Sequence, residues 1–208
     1  GEKYNIDPER IGALGNSAGG CLAAMLALSS KCGELEGDVG GNLEYDSSIK
    51  AAAIFYAPAD LCQSIRTSAA ALSGPPKDLT GTEIENVGND KANIIPALIV
   101  GYTGPGRSLH TLNQVLESND PNHPDWHFIE LTKLCSPISH VSADCPPVVI
   151  FQGARDPIVD PEQSELLYHA LAKAGADATF VAYSGGGHGP SLGEEIDRFA
   201  YSFLKNRL

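Results

Sequence analysis

A serine flanked by glycines lies in the pentapeptide Gly15–Gly19, whose sequence GNSAG fits the pattern G-x-S-x-G. The apolar run Ile11–Leu14 precedes it, and Ala18–Leu28, a segment rich in helix formers, follows it. A strand, a sharp turn and a helix in this order expose a serine hydroxyl as a nucleophile. The alternative is a Gly/Ser-rich loop, because the bare pattern also occurs by chance. The flanking segments favour a nucleophile at Ser17.

Such a tight turn has structural consequences around the serine. We expect a strained backbone at Ser17. Gly15 and Gly19 lack a Cβ atom, so the strand and the helix can approach each other closely. The helix N-terminus favours negative charge. We therefore expect the backbone N–H of Ala18 to point at the oxyanion of a reacting carbonyl.

A serine nucleophile at neutral pH needs a base and an acid that orients the base. Five Gly and Pro neighbours within residues 184–190 place His188 on an open loop, where it can act as the base. Asp156 follows the apolar run Val148–Gln152 and can act as the acid; its alternative is an Asx-turn residue before proline. Asp160 competes with Asp156, although capping a helix is a sufficient explanation for it.

The remaining histidines have ordinary interpretations. The spacing of His123, Asp125 and His127 suggests a metal site, but a solvated loop is the preferred interpretation. We assign no role in this chemistry to the other three histidines. We expect His169 within an amphipathic helix, and His110 and His140 in loops. We expect no metal, and serine, histidine and aspartate need no organic cofactor.

Four short apolar segments alternate with helical stretches and predict strands. They lack clean alternation of polar and apolar residues, as expected of strands covered on both faces. The predicted strands are Ile11–Asn16, Ala51–Ala57, Val148–Gln152 and Thr179–Tyr183. This order predicts an α/β fold with a mostly parallel sheet and flanking crossover helices.

Two predicted helices complete the carboxyl-terminal part of this pattern. One begins with Asp160 as N-cap, has Gln163 in a capping-box-like position, and ends at Gly175. The last helix carries an apolar face that we expect to pack on the sheet. That face consists of Leu192, Ile196, Phe199 and Phe203.

The chain is expected to form a single domain, 1–208, with an insertion at about 74–126. Nearly ninety residues separate the second and third predicted strands, too many for a simple crossover. The insertion is rich in Gly, Pro, Asn and Asp and contains the apolar segment Ile94–Val100. We interpret it as a cap or rim over the carboxyl edge of the sheet; the alternative is a surface excursion.

Composition narrows the function classes. The formal net charge of −12 argues against binding of nucleic acid. No run of about 18 apolar residues predicts a membrane span, and no signal peptide is visible, so the compartment stays open. The five cysteines cannot all pair. Cys21 is expected in the core, and a Cys135–Cys145 disulfide is one open alternative.

With these residues in place, the chain resembles an α/β-hydrolase, specifically the hormone-sensitive-lipase-like esterases and a bacterial branch linked to plant-carbohydrate esters. The matching segments cover about two thirds of the chain. They are DPERI at 7–11 with GNSAGG at 15–20, LEGDVGGN at 35–42, CSPI at 135–138, DP at 156–157 with QS at 163–164, and GHG at 187–189.

The resemblance implies hydrolysis of a small carboxylic ester through an acyl-enzyme, with short-chain or carbohydrate-linked esters as substrates. Ser17, Asp156 and His188 take the family's catalytic positions, and Ala18 contributes its N–H to the oxyanion hole. A serine peptidase of the prolyl-oligopeptidase type shares this catalytic half and is the first alternative. A truncated hydrolase with impaired or no activity is the second.

Members of this family carry roughly a hundred further residues before the nucleophile strand, including a His-Gly-Gly loop that completes the oxyanion hole. This sequence has no equivalent, so we expect weakened catalysis. The strand Ile11–Asn16 is then expected at an apolar, unpaired sheet edge. We therefore expect a homo-oligomer, or pairing of this edge with a separately present N-terminal segment.

Overall fold

The computed structural model describes residues 2–38, 40–71, 90–189 and 193–208. It divides into two compact units. The first combines Gly1–Ala59 with His140–Leu208, and the second is Asp60–Ser139. The expected single domain with an insertion at 74–126 stays a prediction, and residues 72–89 of that insertion lie outside the described residues.

The first unit contains a parallel sheet of four strands. They are β1 (Gly12–Asn16), β2 (Ala51–Phe55), β3 (Val148–Gly153) and β4 (Ala178–Tyr183). Their order across the sheet is β1-β2-β3-β4, and each neighbouring pair is parallel. Every residue of β2 and β3 is buried, which explains why both read as continuous apolar runs. The predicted α/β fold is confirmed, with strand ends shifted by two residues at most.

Helices flank the strands in the first unit and make up most of the second. The first unit has α1 (Ala18–Leu28), α2 (Gly33–Glu36), α7 (Glu162–Ala174) and α8 (Glu194–Lys205). The second has α3 (Leu61–Ala71), α4 (Asp90–Ile99), α5 (Leu109–Ser118) and α6 (Trp126–Leu134).

The last helix packs its apolar face on the sheet, as the sequence predicted. Ala200 and Phe203 of α8 are buried in one cluster with Phe151 of β3. Phe199 is partly exposed, and its ring still meets that of Phe151 edge to face, with centroids 5.7 Å apart. The predicted contribution of Leu192 lies outside the described residues.

The start of α7 differs from the prediction. The N-cap of the helix is Pro161 rather than the predicted Asp160, although Oδ1 of Asp160 accepts from the N–H of Glu162, the first helical residue, at 3.0 Å. The capping box is wrong, however, because the Gln163 side chain turns inward and its Oε1 accepts from the N–H of Ala59 at 2.9 Å. The predicted end is confirmed, with Gly175 in the left-handed region at φ 84°.

The second unit has its own core between helices. Ile65, Leu112 and Ile129, from three different helices, are each fully buried in it. His110 lies within α5 rather than in the loop that was predicted. The reason is a capping box that starts the helix at Ser108, two residues earlier. The predicted role of this region as a cap or rim stays a prediction.

All five cysteines lie in the described residues and none of them forms a disulfide, so the Cys135–Cys145 disulfide is not formed. Cys21 is only partly buried on α1, so its predicted place in the core is wrong. Burial raises the pKa of Cys62 and of Cys135.

Candidate active site

Ser17 lies at the sharp turn between β1 and α1. Its φ of 53° and ψ of −120° lie outside the regions that residues other than glycine usually adopt, so the predicted backbone strain is confirmed. Two hydrogen bonds hold it there. The Ser17 N–H donates to the carbonyl of Phe55 at 2.9 Å, and the N–H of Cys21 donates to the Ser17 carbonyl at 3.0 Å.

The glycines around Ser17 are not equivalent. A Cβ on Gly15 would lie 2.0 Å from the carbonyl oxygen of Gly19, so the chain cannot fold this way with a side chain there. A Cβ on Gly19 would meet nothing within 4 Å, so its expected steric role is wrong. The second close approach belongs to Gly20, whose Cβ would lie 2.8 Å from the Phe55 carbonyl oxygen.

His188 lies on the loop after β4 and reaches both other predicted residues. Its Nε2 is 2.9 Å from the Oγ of Ser17, a residue 171 positions away along the chain. Its Nδ1 is 2.8 Å from the Oδ2 of Asp156. The histidine side chain is 15% exposed, and that of Asp156 is fully buried. The fold therefore places the three side chains in one hydrogen-bonded chain.

Asp156 is held by a different set of partners at each oxygen. Oδ1 accepts from the N–H groups of Ile158 and Val159, at 2.9 and 3.0 Å. Oδ2 faces His188 and also accepts from Nε2 of Gln152 at 3.2 Å. One oxygen therefore makes the predicted turn and the other meets the histidine, while the role of Asp156 as the acid stays a prediction. Asp160, the competitor, instead accepts from the N–H of Glu162 at the start of α7.

Sequence reasoning missed the buried pair behind Asp156. The Ser164 Oγ donates to Oε1 of Gln152 at 2.8 Å, which leaves the Gln152 amide nitrogen to donate to the aspartate. Each of the two side chains is 1% exposed. Buried polar groups are almost always paired. The signal in the sequence was a glutamine at the end of the predicted, otherwise apolar strand Val148–Gln152.

Two further residues at the sheet edge were missed. Tyr56, directly after β2, packs its ring against His188, with centroids 4.7 Å apart. Gly153 ends β3, and a Cβ there would lie 2.6 Å from backbone atoms of Gly186 and Gly187. Neither residue carries a local motif, because each acts through a contact that is distant along the chain.

Ala18 is the first residue of α1 and follows Ser17 directly. The first N–H groups of a helix have no acceptor inside it and carry partial positive charge. α1 begins at the residue after Ser17, and the positive charge at such a helix start favours an anion. The predicted role of the Ala18 N–H is consistent with this position and remains a prediction.

The residues considered for a metal have other partners. Asp125 accepts from Arg107 at 2.8 Å, and Nδ1 of His123 accepts from the Asp125 N–H at 3.1 Å. Within residues 2–38, 40–71, 90–189 and 193–208, no three His, Cys, Asp or Glu side chains are grouped to hold a metal ion. The helices in these same ranges include none that is long and apolar enough to cross a membrane.

The BD-FAE family model matches residues 1–106 and 116–171, more than half of the chain. The chain belongs to the BD-FAE family. It is also 30% identical over 173 residues to esterase LipQ of Mycobacterium tuberculosis, covering 83% of this chain and 31% of LipQ. The resemblance to lipase-like esterases is thereby confirmed.

Solved structures agree on the fold. A truncated form of a carbohydrate esterase from gut microbiota superposes with a TM-score of 0.66 at 27% identity, over 99% of this chain and 62% of that one. Thermogutta terrifontis esterase 2, phosphorylated by paraoxon, superposes with a TM-score of 0.57 at 22% identity, over 97% and 55%. The BD-FAE chain described here thus has the α/β-hydrolase fold and spans only part of the length of these relatives.

Proposed function

We propose that this chain is a serine carboxylesterase that works through an acyl-enzyme. The observation that carries the proposal is the hydrogen-bonded chain from Ser17 Oγ to His188 Nε2, at 2.9 Å, and from His188 Nδ1 to Asp156 Oδ2, at 2.8 Å. A nucleophile, a base and an orienting acid in this order are what acyl transfer requires. That the named relatives are esterases supports the same reaction.

In the first half of the reaction, Ser17 Oγ attacks the acyl carbon while His188 Nε2 takes its proton. The negative charge that develops on the carbonyl oxygen is stabilised by the N–H of Ala18 at the start of α1. The buried carboxylate of Asp156 stabilises the imidazolium. When the intermediate collapses, His188 returns the proton to the alcohol oxygen, which leaves with it.

The second half repeats these steps with water. His188 removes a proton from the water molecule, whose oxygen attacks the acyl carbon bound to Ser17. Collapse of the second intermediate breaks the bond to Ser17 Oγ, and the proton returns from the histidine to the serine. The net reaction is an ester plus water giving an alcohol and an acid, and no metal or organic cofactor takes part.

Short-chain or carbohydrate-linked esters are the proposed substrates. The support is the likeness to a carbohydrate esterase at 27% identity. No observation on this chain favours the prolyl-oligopeptidase alternative. A p-nitrophenyl acetate and a peptide anilide, offered side by side, separate the two, because the esterase proposal expects turnover of the ester alone.

The test of the serine mechanism is covalent labelling. A fluorophosphonate probe is expected to modify Ser17, located by peptide mass spectrometry, and to lose this reaction in His188→Ala. His169→Ala is the matched control, because His169 is exposed on α7. Labelling elsewhere, no labelling of the unmodified chain, or undiminished labelling in His188→Ala would each contradict the proposal.

A further inference from the structure

Tyr56 occupies a strained and buried position at the carboxyl edge of the sheet. Its φ is 37°, in the left-handed region that a bulky residue adopts only when its surroundings impose it. The residue is 2% exposed. Its N–H donates to the carbonyl of Phe151 on β3 at 2.7 Å, which fixes the backbone at the turn.

The ring of Tyr56 touches the imidazole that links Ser17 to Asp156. The centroids of Tyr56 and His188 are 4.7 Å apart with an interplanar angle of 62°, an edge-type contact. Aromatic pairs prefer this arrangement over face-to-face stacking. The loop that carries His188 is rich in glycine, so its immediate neighbours along the chain supply no side chain that fixes the ring plane.

The other end of the tyrosine reaches the residue before the nucleophile. The side-chain amide of Asn16 donates a hydrogen bond to the phenol oxygen of Tyr56. Burial raises the pKa of Tyr56, the charge of Asp156 raises it further, and this hydrogen bond opposes both. The phenol is therefore neutral at physiological pH, and its oxygen serves as an anchor.

We propose that Tyr56 is a positioning residue that fixes the imidazole plane of His188 so that Nε2 stays directed at Ser17 Oγ. The proposal rests on the proposed function, since it concerns the same hydrogen-bonded chain. Its hydroxyl, anchored on Asn16, holds the ring in place. Tyr56 thereby links the turn of the nucleophile to the loop of the base, two segments more than 170 residues apart.

The expected effect is on the rate of chemistry rather than on substrate binding. A displacement of about 1 Å between reacting groups can lower the rate on the order of 10²-fold. Without the ring, the 2.8 Å contact between Nδ1 and Asp156 remains, but the imidazole plane can tilt about it, which moves Nε2 out of the 2.9 Å contact with Ser17. Tyr56→Leu is thus expected to lower kcat about 10²-fold and leave KM within about threefold.

Three variants test this against p-nitrophenyl acetate, with the rate of fluorophosphonate labelling of Ser17 as a second readout. Tyr56→Leu removes the ring, Tyr56→Phe keeps the ring without the hydroxyl, and Tyr201→Leu is the control, because Tyr201 is 66% exposed on α8. Tyr56→Leu is expected to lose the most rate, Tyr56→Phe to lose less because its ring remains without the anchor on Asn16, and Tyr201→Leu to lose none. Equal losses in Tyr56→Leu and Tyr56→Phe, or no loss in Tyr56→Leu, would overturn the role of the ring.

A spectroscopic readout separates this proposal from the function itself. The proton on His188 Nδ1, hydrogen-bonded to Asp156, should give a low-field NMR signal that disappears in His188→Ala. This signal should broaden in Tyr56→Leu and persist in Tyr56→Phe. An unchanged signal in Tyr56→Leu would refute the positioning role of Tyr56, even if the chain hydrolyses no ester. Failure of the unmodified chain to label would refute the proposed function alone. Circular dichroism establishes folding, and Tyr56→Met replaces Tyr56→Leu if the latter unfolds.

Discussion

Replacing Gly153 by alanine tests whether the close contact between two loops, the one after β3 that carries Asp156 and the one after β4 that carries His188, sets the geometry of the site. Gly153 pairs in register with Tyr183 at the end of β4, so the histidine loop starts beside it. The N–H of Arg155 donates to the carbonyl of Gly186 at 2.9 Å, which ties the two loops together. In Gly153→Ala, a new methyl group would be added where these two loops meet.

The size of the disturbance follows from the contact distances. In Gly153→Ala, the new Cβ would lie 2.6 Å from Gly186 and Gly187 backbone atoms, whereas ordinary contact begins at 3.4 Å. The loop must therefore retreat by about 0.8 Å, the difference between these distances. His188 follows Gly187 directly, so its Nε2 moves with the loop. We expect kcat to fall on the order of 10²-fold and the free energy of unfolding to drop by about 1–3 kcal/mol.

The assay compares kcat for p-nitrophenyl acetate, the labelling rate of Ser17 and the melting temperature across two variants. Gly185→Ala is the matched control in the same loop, because its Cβ would meet only the Tyr183 ring, at 3.8 Å. It is expected to retain the labelling rate. If Gly153→Ala labels Ser17 as fast as the unmodified chain, or if both variants lose the rate equally, the reasoning from this contact is refuted.

Two further perturbations probe the support of Asp156 and the edge of the sheet. Ser164→Ala removes the donor that orients Gln152, so we expect the free energy of unfolding to fall by about 1–3 kcal/mol and the labelling of Ser17 to slow. Ser118→Ala, at an exposed helix end, is the control. Equal melting temperatures of the two variants would contradict the prediction. β1 is an outer strand of the described sheet and Leu14 on it is 42% exposed, so sedimentation should find species heavier than 21.9 kDa that Leu14→Lys dissociates. A monomer at every micromolar concentration would count against that association.

The strands and the three candidate residues could be predicted because their signals are local. A strand buried on both faces is apolar along most of its length, so β2 and β3 are visible as short apolar runs. Ser17 sits in a motif of five residues, and His188 in a loop of glycines. Asp156 lies in the turn three residues after the end of β3. None of these signals depends on which distant part of the chain packs against the residue.

The contacts that support the site were not predictable in the same way. Gly153 and Gly19 both lie within three residues of a candidate catalytic residue, yet a Cβ on Gly153 would lie 2.6 Å from another backbone, while a Cβ on Gly19 would meet nothing within 4 Å. The inward turn of Gln163, which replaced a capping box, depends on the position of Ala59. In the sequence, Tyr56 is an ordinary aromatic residue at the end of a strand. Only the three-dimensional structure shows that it packs against His188.

The sequence by itself determined the fold class and the order of serine, aspartate and histidine along the chain. Only the tertiary structure decided that His188 lies 2.9 Å from Ser17 and 2.8 Å from Asp156, and that Tyr56 packs against its ring. The physical reason is that apolar periodicity is a property of neighbouring residues. The distances at the site instead depend on strand register and loop packing, which join segments far apart along the chain.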